Sequence, residues 1–279
     1  MKWSDIYTYV SEEEATRLLL AAGQAELRKM EPLRGGWPNS SHLLTLEDDT
    51  QLVLKVWDNK TPIAIERLIR NICWLVDHGV STPLPLQLKD GERMLVINGL
   101  SWMLMPYISG DWLSVDPSSL HDMGRVQAQL HQVPVYEDIP HYLSFGHVFW
   151  EGLVEDAREQ EAPAPFIQKL KKETATLKLK IREDLPRGII HGDLSPVNVI
   201  GRKGQVLALL DFEEICVESF VLDLAMTFVH FGWKDGLPVT ELWDALLTGY
   251  QSVRLLTDAE RAALPDLHRY SVLALAAWR

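Results

Sequence analysis

The rhythm of apolar and polar positions changes part-way along this chain. Residues 41–57 alternate as strands do. "SHLLTLE" and "QLVLKVW" flank the polar turn "DDT", which predicts a β-hairpin. Thr61 and Pro62 then read as the cap and first position of a helix. Ile65, Leu68, Ile69, Ile72, Leu75 and Val76 recur at helical spacing, and Gly79 closes the segment. Two further strand-like pieces, 92–97 and 101–105, are separated by Asn98-Gly99, a hairpin-turn pair. After "SGD" at 109–111 the period becomes helical. Asp116-Pro117 opens one helix, with Leu120, Met123 and Leu130 along one side. Helices are predicted over 147–160 and 164–182, split by "EAPAP", and over 219–231, 239–253 and 257–279. Thr257 with Glu260 forms a capping box for the last of these. The pattern predicts an α+β fold in two parts: a small antiparallel-sheet lobe with one helix (1–107), then a larger, mostly helical lobe (108–279).

Composition narrows the function more than the fold. The 279 residues are 47% hydrophobic and 24% charged, ordinary for a globular protein with a real core. The net charge of −12 argues against a nucleic-acid surface and favours cationic partners, although acidity also serves solubility alone. No apolar run is long enough to span a bilayer, and the N-terminal "MKWSDIYTYV" lacks the signature of a secretory signal. Cys73 and Cys216 lie far apart in apolar surroundings, as reduced thiols of a cytoplasmic protein do. The nine histidines show no metal-ligand spacing; His121, His131 and His141 recur every ten residues, which fits neither a helix face nor a zinc loop.

The chemistry is concentrated in "IIHGDLSPVNVI", 189–200. His191, Asp193 and Asn198 stand on a short loop behind an apolar run, and "LALLDFEE" brings Asp211 thirteen residues after Asn198. Phosphoryl transfer from a nucleotide calls for this set. One carboxylate must take the proton of the attacking hydroxyl, and hard oxygen ligands must hold Mg²⁺ on the phosphates. Asp193 suits the base, and Asn198 and Asp211 suit the metal. A turn around Pro196, with Asp193 and Asn198 as turn-formers and His191 buried, is the alternative for the loop taken alone. Lys55 lies in the middle of "LVLKVW", where burying an ammonium is costly unless it is paired. It suits the phosphates of ATP, with Glu66, eleven residues on, as its partner. An exposed strand face with a snorkelling side chain is the other reading.

"HGDLSPVNV" and "LLDFE", with a strand lysine and helix glutamate before them, resemble the small-molecule branch of the protein-kinase-like fold. That branch holds the aminoglycoside phosphotransferases, choline kinases and type II homoserine kinases. The resemblance covers roughly 30–250. It implies a bilobal kinase fold, ATP and Mg²⁺ as cofactors, and a small hydroxyl compound as acceptor. It also implies that Asp193 is the catalytic base, that Asn198 and Asp211 are metal ligands, and that Lys55 and Glu66 serve the phosphates. His191 would brace the loop. Asp223, in "VLDLA", matches a buried aspartate that bonds that loop, although a helix-start role fits it too. "LRGGWPNSSHLL" stands at the nucleotide-covering hairpin, so Gly35, Gly36, Ser40 and Ser41 are candidates to meet phosphate; a plain Gly-Gly turn is the alternative. "WMLMPYISG" resembles the adenine-gripping strand end, with Met105, the Pro106 carbonyl and the Ile108 N–H as expected contacts.

The pattern departs from protein kinases. Glu213 replaces the glycine of their Asp-Phe-Gly, and no Ala-Pro-Glu follows. That weakens a protein substrate, and the resemblance implies an amino alcohol or amino acid, homoserine- or choline-like, as the expected acceptor. An aminoglycoside, a protein substrate and a non-catalytic nucleotide-binding role stand as alternatives. Glu213, Glu214 and Glu218 are candidates to face an ammonium, or simply solvent. Trp150, Trp233 and Trp243 are candidates to line the acceptor pocket, or simply core.

Overall fold

A computed structural model describes residues 9–33, 40–144, 146–157, 165–181 and 184–278. The chain divides into two compact units. The first runs to Gly110 and takes in Leu207–Leu210; the second holds the rest.

The first unit begins with α1 (Glu12–Ala21), closed at its start by a capping box. Ser11 Oγ accepts from the Glu14 N–H, and the Glu14 carboxylate accepts from the Ser11 N–H at 3.0 Å. Next come β1 (Leu27–Pro32), β2 (Ser40–Leu46), β3 (Gln51–Trp57), α2 (Pro62–Asp77), β4 (Leu95–Ile97) and β5 (Leu100–Pro106). The strands form one antiparallel sheet in the order β1-β2-β3-β5-β4. Its core face carries Leu44, Leu46, Leu52, Leu54, Val56 and Trp102, packed with Leu18 and Leu19 of α1. Thr61 caps α2 through the Ala64 N–H, and Asn98 and Gly99 both take positive φ in the β4–β5 turn.

Two elements here are additions to the sequence pattern. The ten residues of α1 are too few to form a stable helix without packing, so its identity depends on the sheet. The edge strand β1, "LRKMEP", is mostly exposed and charged, as edges that resist further pairing are. The piece expected over 92–97 shrinks to Leu95–Ile97.

The second unit contains β6 (Asp111–Trp112), α3 (Pro117–Leu130), α4 (His147–Asp156), α5 (Pro165–Lys180), β7 (Arg187–Ile190), β8 (Val199–Arg202), the start of β9 (Gln205–Leu209), whose last three residues belong to the first unit, β10 (Cys216–Ser219), α6 (Phe220–Phe231), β11 (Trp233–Lys234), β12 (Leu237–Pro238), α7 (Thr240–Gln251) and α8 (Asp258–Trp278). Three small sheets form: β6-β8-β9, β7 with β10, and β11 with β12. The strand β10 was not apparent from the sequence, because "CVES" is short and half polar; it exists by pairing Cys216–Ser219 with Arg187–Ile190. Helix α6 is buried without a break from Val221 to Phe228, which makes it the spine of the unit. Helices α3 and α7 lie backbone against backbone: a Cβ at Gly249 would come within 1.8 Å of the His121 carbonyl oxygen. Only glycine permits that approach.

Candidate active site

Ile189 and Ile190, both fully buried at the end of β7, deliver His191 to the loop. The chain then turns at Gly192, whose φ is +81° and where a Cβ would meet the Glu214 carbonyl at 2.6 Å. Glycine is required there on both counts. Leu194, fully buried, anchors the loop, and a single turn at Pro196–Asn198 returns it to β8. His191 is itself fully buried. Its Nδ1 accepts from the Asp193 N–H at 3.2 Å, and its ring lies 4.4 Å from that of Phe212. The histidine thus holds the backbone next to Asp193.

The Asp193 side chain is 38% exposed. The Asn198 amide nitrogen donates to the Asp193 carbonyl at 2.9 Å and to its Oδ2 at 3.1 Å. The amide nitrogen must face that carboxylate, because the amide oxygen there would be repelled. The Asn198 oxygen is therefore turned away from Asp193. Asp211 follows β9 in the left-handed region, φ 62° and ψ 62°, a conformation that costs a non-glycine residue about 1 kcal/mol or more. Such strain is kept where side-chain direction matters.

Asp223 stands in the first turn of α6 with no exposed surface. Its carboxylate accepts from the Gly192 N–H at 2.9 Å, the His191 N–H at 3.4 Å, the Gln127 amide at 2.8 Å and His131 Nε2 at 3.0 Å. Burial alone would raise its pKa. The hydrogen bond and charge of His131, with Gln127 and His191, outweigh that and hold the carboxyl below its ordinary range. The chain of bonds continues: His131 Nδ1 is 2.7 Å from the Tyr250 hydroxyl, Arg254 donates to that hydroxyl at 3.3 Å, and Arg254 pairs with Glu260 at 2.8 Å. Glu260 closes the predicted capping box with Thr257. Asp223 thus ties the loop to α3, α7 and α8. The hydrogen bond to the loop, suggested by resemblance, is present.

In the first unit the strand register sorts the candidates. Ser41, Lys55 and Met103 are cross-strand partners on one face, and Val53 with Met105 forms the next row of that face. Lys55 is 8% exposed, with its ammonium 3.9 Å above the centre of a Trp57 ring. Ser40 pairs instead with Val56, and Val56 with Trp102, on the core face. The alternation of a strand therefore separates the two serines, and only Ser41 shares the face of Lys55. Glu66 is exposed near the start of α2. Met105 and Pro106 end β5, and Ile108 lies two residues beyond. Gly35 and Gly36 lie outside the described residues.

The other candidates are engaged by partners of their own. Trp150 is fully buried, its ring 4.5 Å from Tyr270 in the core, which leaves it no face for a substrate. Trp243 packs on Phe228, and the half-exposed Trp233 stacks on His268. Glu214 accepts from the Ser144 hydroxyl, and Glu218 pairs with Arg187 at 2.6 Å.

His230 was missed. In the last turn of α6, its Nε2 lies 3.3 Å from Asp193 Oδ1. Nothing local marks it, but Asp223, Thr227 and His230 are the polar residues of an otherwise apolar helix. Their spacing of four and then three puts them on one face. His131, set aside for its ten-residue recurrence, was likewise missed; with Gln127 it makes an i, i+4 pair.

Comparison with known proteins gives this geometry its setting. Residues 29–256 match the model of a family described as the phosphotransferase enzyme family. The chain belongs to that family. A homoserine kinase of Rhizobium rhizogenes (strain K84) is 32% identical over 277 residues, 96% of this chain and 85% of that protein. Among solved structures, an amicoumacin kinase in complex with AMP-PNP and Ca²⁺ superposes with a TM-score of 0.76 at 18% identity, covering 97% of this chain and 86% of that one. A Plasmodium vivax ethanolamine kinase gives 0.72 at 16%, covering 96% and 81%. The fold is thus the protein-kinase-like α+β fold. This phosphotransferase is a small-molecule kinase that uses ATP to phosphorylate a hydroxyl. No helix among the described residues is long and apolar enough to cross a membrane.

Proposed function

We propose that this phosphotransferase acts on the hydroxyl of a small amino acid or amino alcohol, with L-homoserine as the leading acceptor and Asp193 as the base. The homoserine kinases that resemble it along nearly its whole length support the acceptor. The observation that carries the mechanism is the grip on Asp193: Asn198 holds Oδ2, while the loop backbone is tied by His191 and Asp223. That leaves a partly exposed carboxylate of fixed direction, as a general base requires. The acceptor hydroxyl gives its proton to Asp193 while its oxygen bonds to the γ-phosphorus. The bond from that phosphorus to the β–γ bridging oxygen breaks, and ADP leaves.

The oxygen donors of Asn198 and Asp211 fit a hard cation such as Mg²⁺, and the Asn198 amide already directs its nitrogen elsewhere. Bound there, the metal would neutralise phosphate charge. In this reading Lys55 meets the phosphates with Glu66 orienting it, and Ser41, with Gly35 and Gly36, covers them. Met105, the Pro106 carbonyl and the Ile108 N–H take the adenine. A cytoplasmic location goes with ATP use and with Cys216, a buried thiol whose pKa burial pushes up.

The test is a panel assay of phosphate transfer from ATP to L-homoserine, choline, ethanolamine and an aminoglycoside set. Transfer to homoserine or the amino alcohols supports the reading. Transfer confined to the aminoglycosides would replace it with an antibiotic-modifying role, which the charge of −12 would suit. Full turnover by Asp193→Asn would remove Asp193 as the base.

A further inference from the structure

The polar stripe of α6 does three jobs on one face. Asp223 fixes the loop backbone, Thr227 accepts from the Gln127 amide at 2.9 Å, and His230 reaches the carboxylate of Asp193. The His230 side chain is 15% exposed, and its Nε2 is buried with no aligned hydrogen-bond partner among the described residues. An imidazole nitrogen left so is costly. Asp193 Oδ1 lies 3.3 Å away, at ion-pair range but out of line, and hydrogen bonds at such sites often tighten only when substrate is bound. The second oxygen, Oδ2, is already taken by Asn198. A proton relay is not what this pair offers, because the Asp193 side chain is itself 38% open to solvent. What remains is orientation.

We infer that His230 is a positioning residue for Asp193. Its Nε2–H closes on Oδ1 and, with the Asn198 amide on Oδ2, sets the plane of the carboxylate against the acceptor hydroxyl. The inference rests on the reading of Asp193 as the base. It adds a second holder on an element remote in sequence from the loop, and it assigns the buried nitrogen a partner.

Two measurements test it. The first needs no acceptor. Long-range ¹H–¹⁵N correlation spectra of the full chain, with His230 assigned through His230→Gln, report which ring nitrogen carries the proton. Protonated Nε2, with a resonance that moves in Asp193→Asn, is expected. A neutral ring with its proton on Nδ1 overturns the inference, because a bare Nε2 has nothing to donate to a carboxylate. The second is kinetic, with ATP and L-homoserine. His230→Phe keeps an aromatic ring but removes the N–H. It should lower kcat by about 10- to 100-fold while the KM for ATP stays within about twofold. His230→Gln, which restores an N–H of similar reach, should recover most of the loss. In an Asp193→Asn background His230→Phe should cost nothing further. Wild-type kcat in His230→Phe beside an inactive Asp193→Asn sinks this inference alone. An active Asp193→Asn sinks the reading of the base beneath it. The spectra decide for His230 even if L-homoserine is not phosphorylated.

Discussion

Asp223 and Asp193 act on the same turn and are held in opposite ways. Asp223 has no exposed surface and four hydrogen-bond donors, from two loop amides, Gln127 and His131. Asp193 is 38% exposed; Asn198 holds Oδ2, and the approach of His230 to Oδ1 is unaligned. The difference fits the role proposed for Asp193 as the base. One that fixes backbone is best saturated, since any unpaired lone pair in the interior is a cost. One that must collect a proton has to keep acceptor capacity in reserve. Saturation gives rigidity, and incompleteness gives reactivity. The site places the two side by side so that the first supports the second.

The sharpest way to break this comparison is to exchange the consequences. Asp193→Asn should reduce kcat by about 10²- to 10⁴-fold, the range of a lost general base, and leave the unfolding midpoint almost unmoved. A coupled ADP-release assay run beside a thermal melt checks both halves. Asp223→Ala should do the reverse first. It strands the Gly192 N–H, the Gln127 amide and His131 in the interior, at a cost to stability of about 3–5 kcal/mol. Urea unfolding measures this, and a loss below about 1 kcal/mol would mean that the carboxylate is not what holds the loop.

A smaller effect should come from the helices that carry the network. Gly249→Ala must push α7 away from the His121 carbonyl, and the neighbouring Tyr250 is the residue whose hydroxyl meets His131. A cost of about 1–3 kcal/mol is expected, with kcat lowered less than tenfold, because the strain reaches Asp193 only through Asp223. An equally large fall in kcat and in stability would show the two aspartates to be less separable than their burial suggests.

Much of this was legible in the chain, and the parts that were not share a cause. The hairpin, the caps at Thr61 and Thr257, and the loop of His191, Asp193 and Asn198 are local signals, written within a few residues. Asp223 was visible through resemblance, not through spacing. Ser40 and Ser41 could not be told apart, because which serine faces Lys55 is set by the pairing of β2 with β3, and a shift of one residue reverses the answer. Trp150 could be assigned to core or pocket only after the packing of α4 against Tyr270 was known. His230 lies 37 residues beyond Asp193, and only the fold brings them together. The one hint was the polar face of α6, which periodicity reveals once the helix is granted.

The mildest expected effect is on acid stability, and it tests how the saturated aspartate is held without touching activity. The folded-state pKa of Asp223 lies below the ordinary 3.8 of a free carboxyl, through His131, Gln127 and His191 acting against burial. A carboxyl lowered by folding contributes stability in full above its unfolded pKa. The contribution is lost as pH falls from about 4 through the folded value, because only the unfolded chain has taken up the proton there. The wild-type protein should therefore lose stability below about pH 4 more steeply than Asp223→Asn, which has no such proton to take up. Melting temperatures of the two proteins between pH 5 and pH 3 would show this. Parallel curves for wild type and Asp223→Asn would mean that the buried carboxylate is not held ionised by its partners, and the contrast between a saturated and an unsaturated aspartate would lose its electrostatic basis.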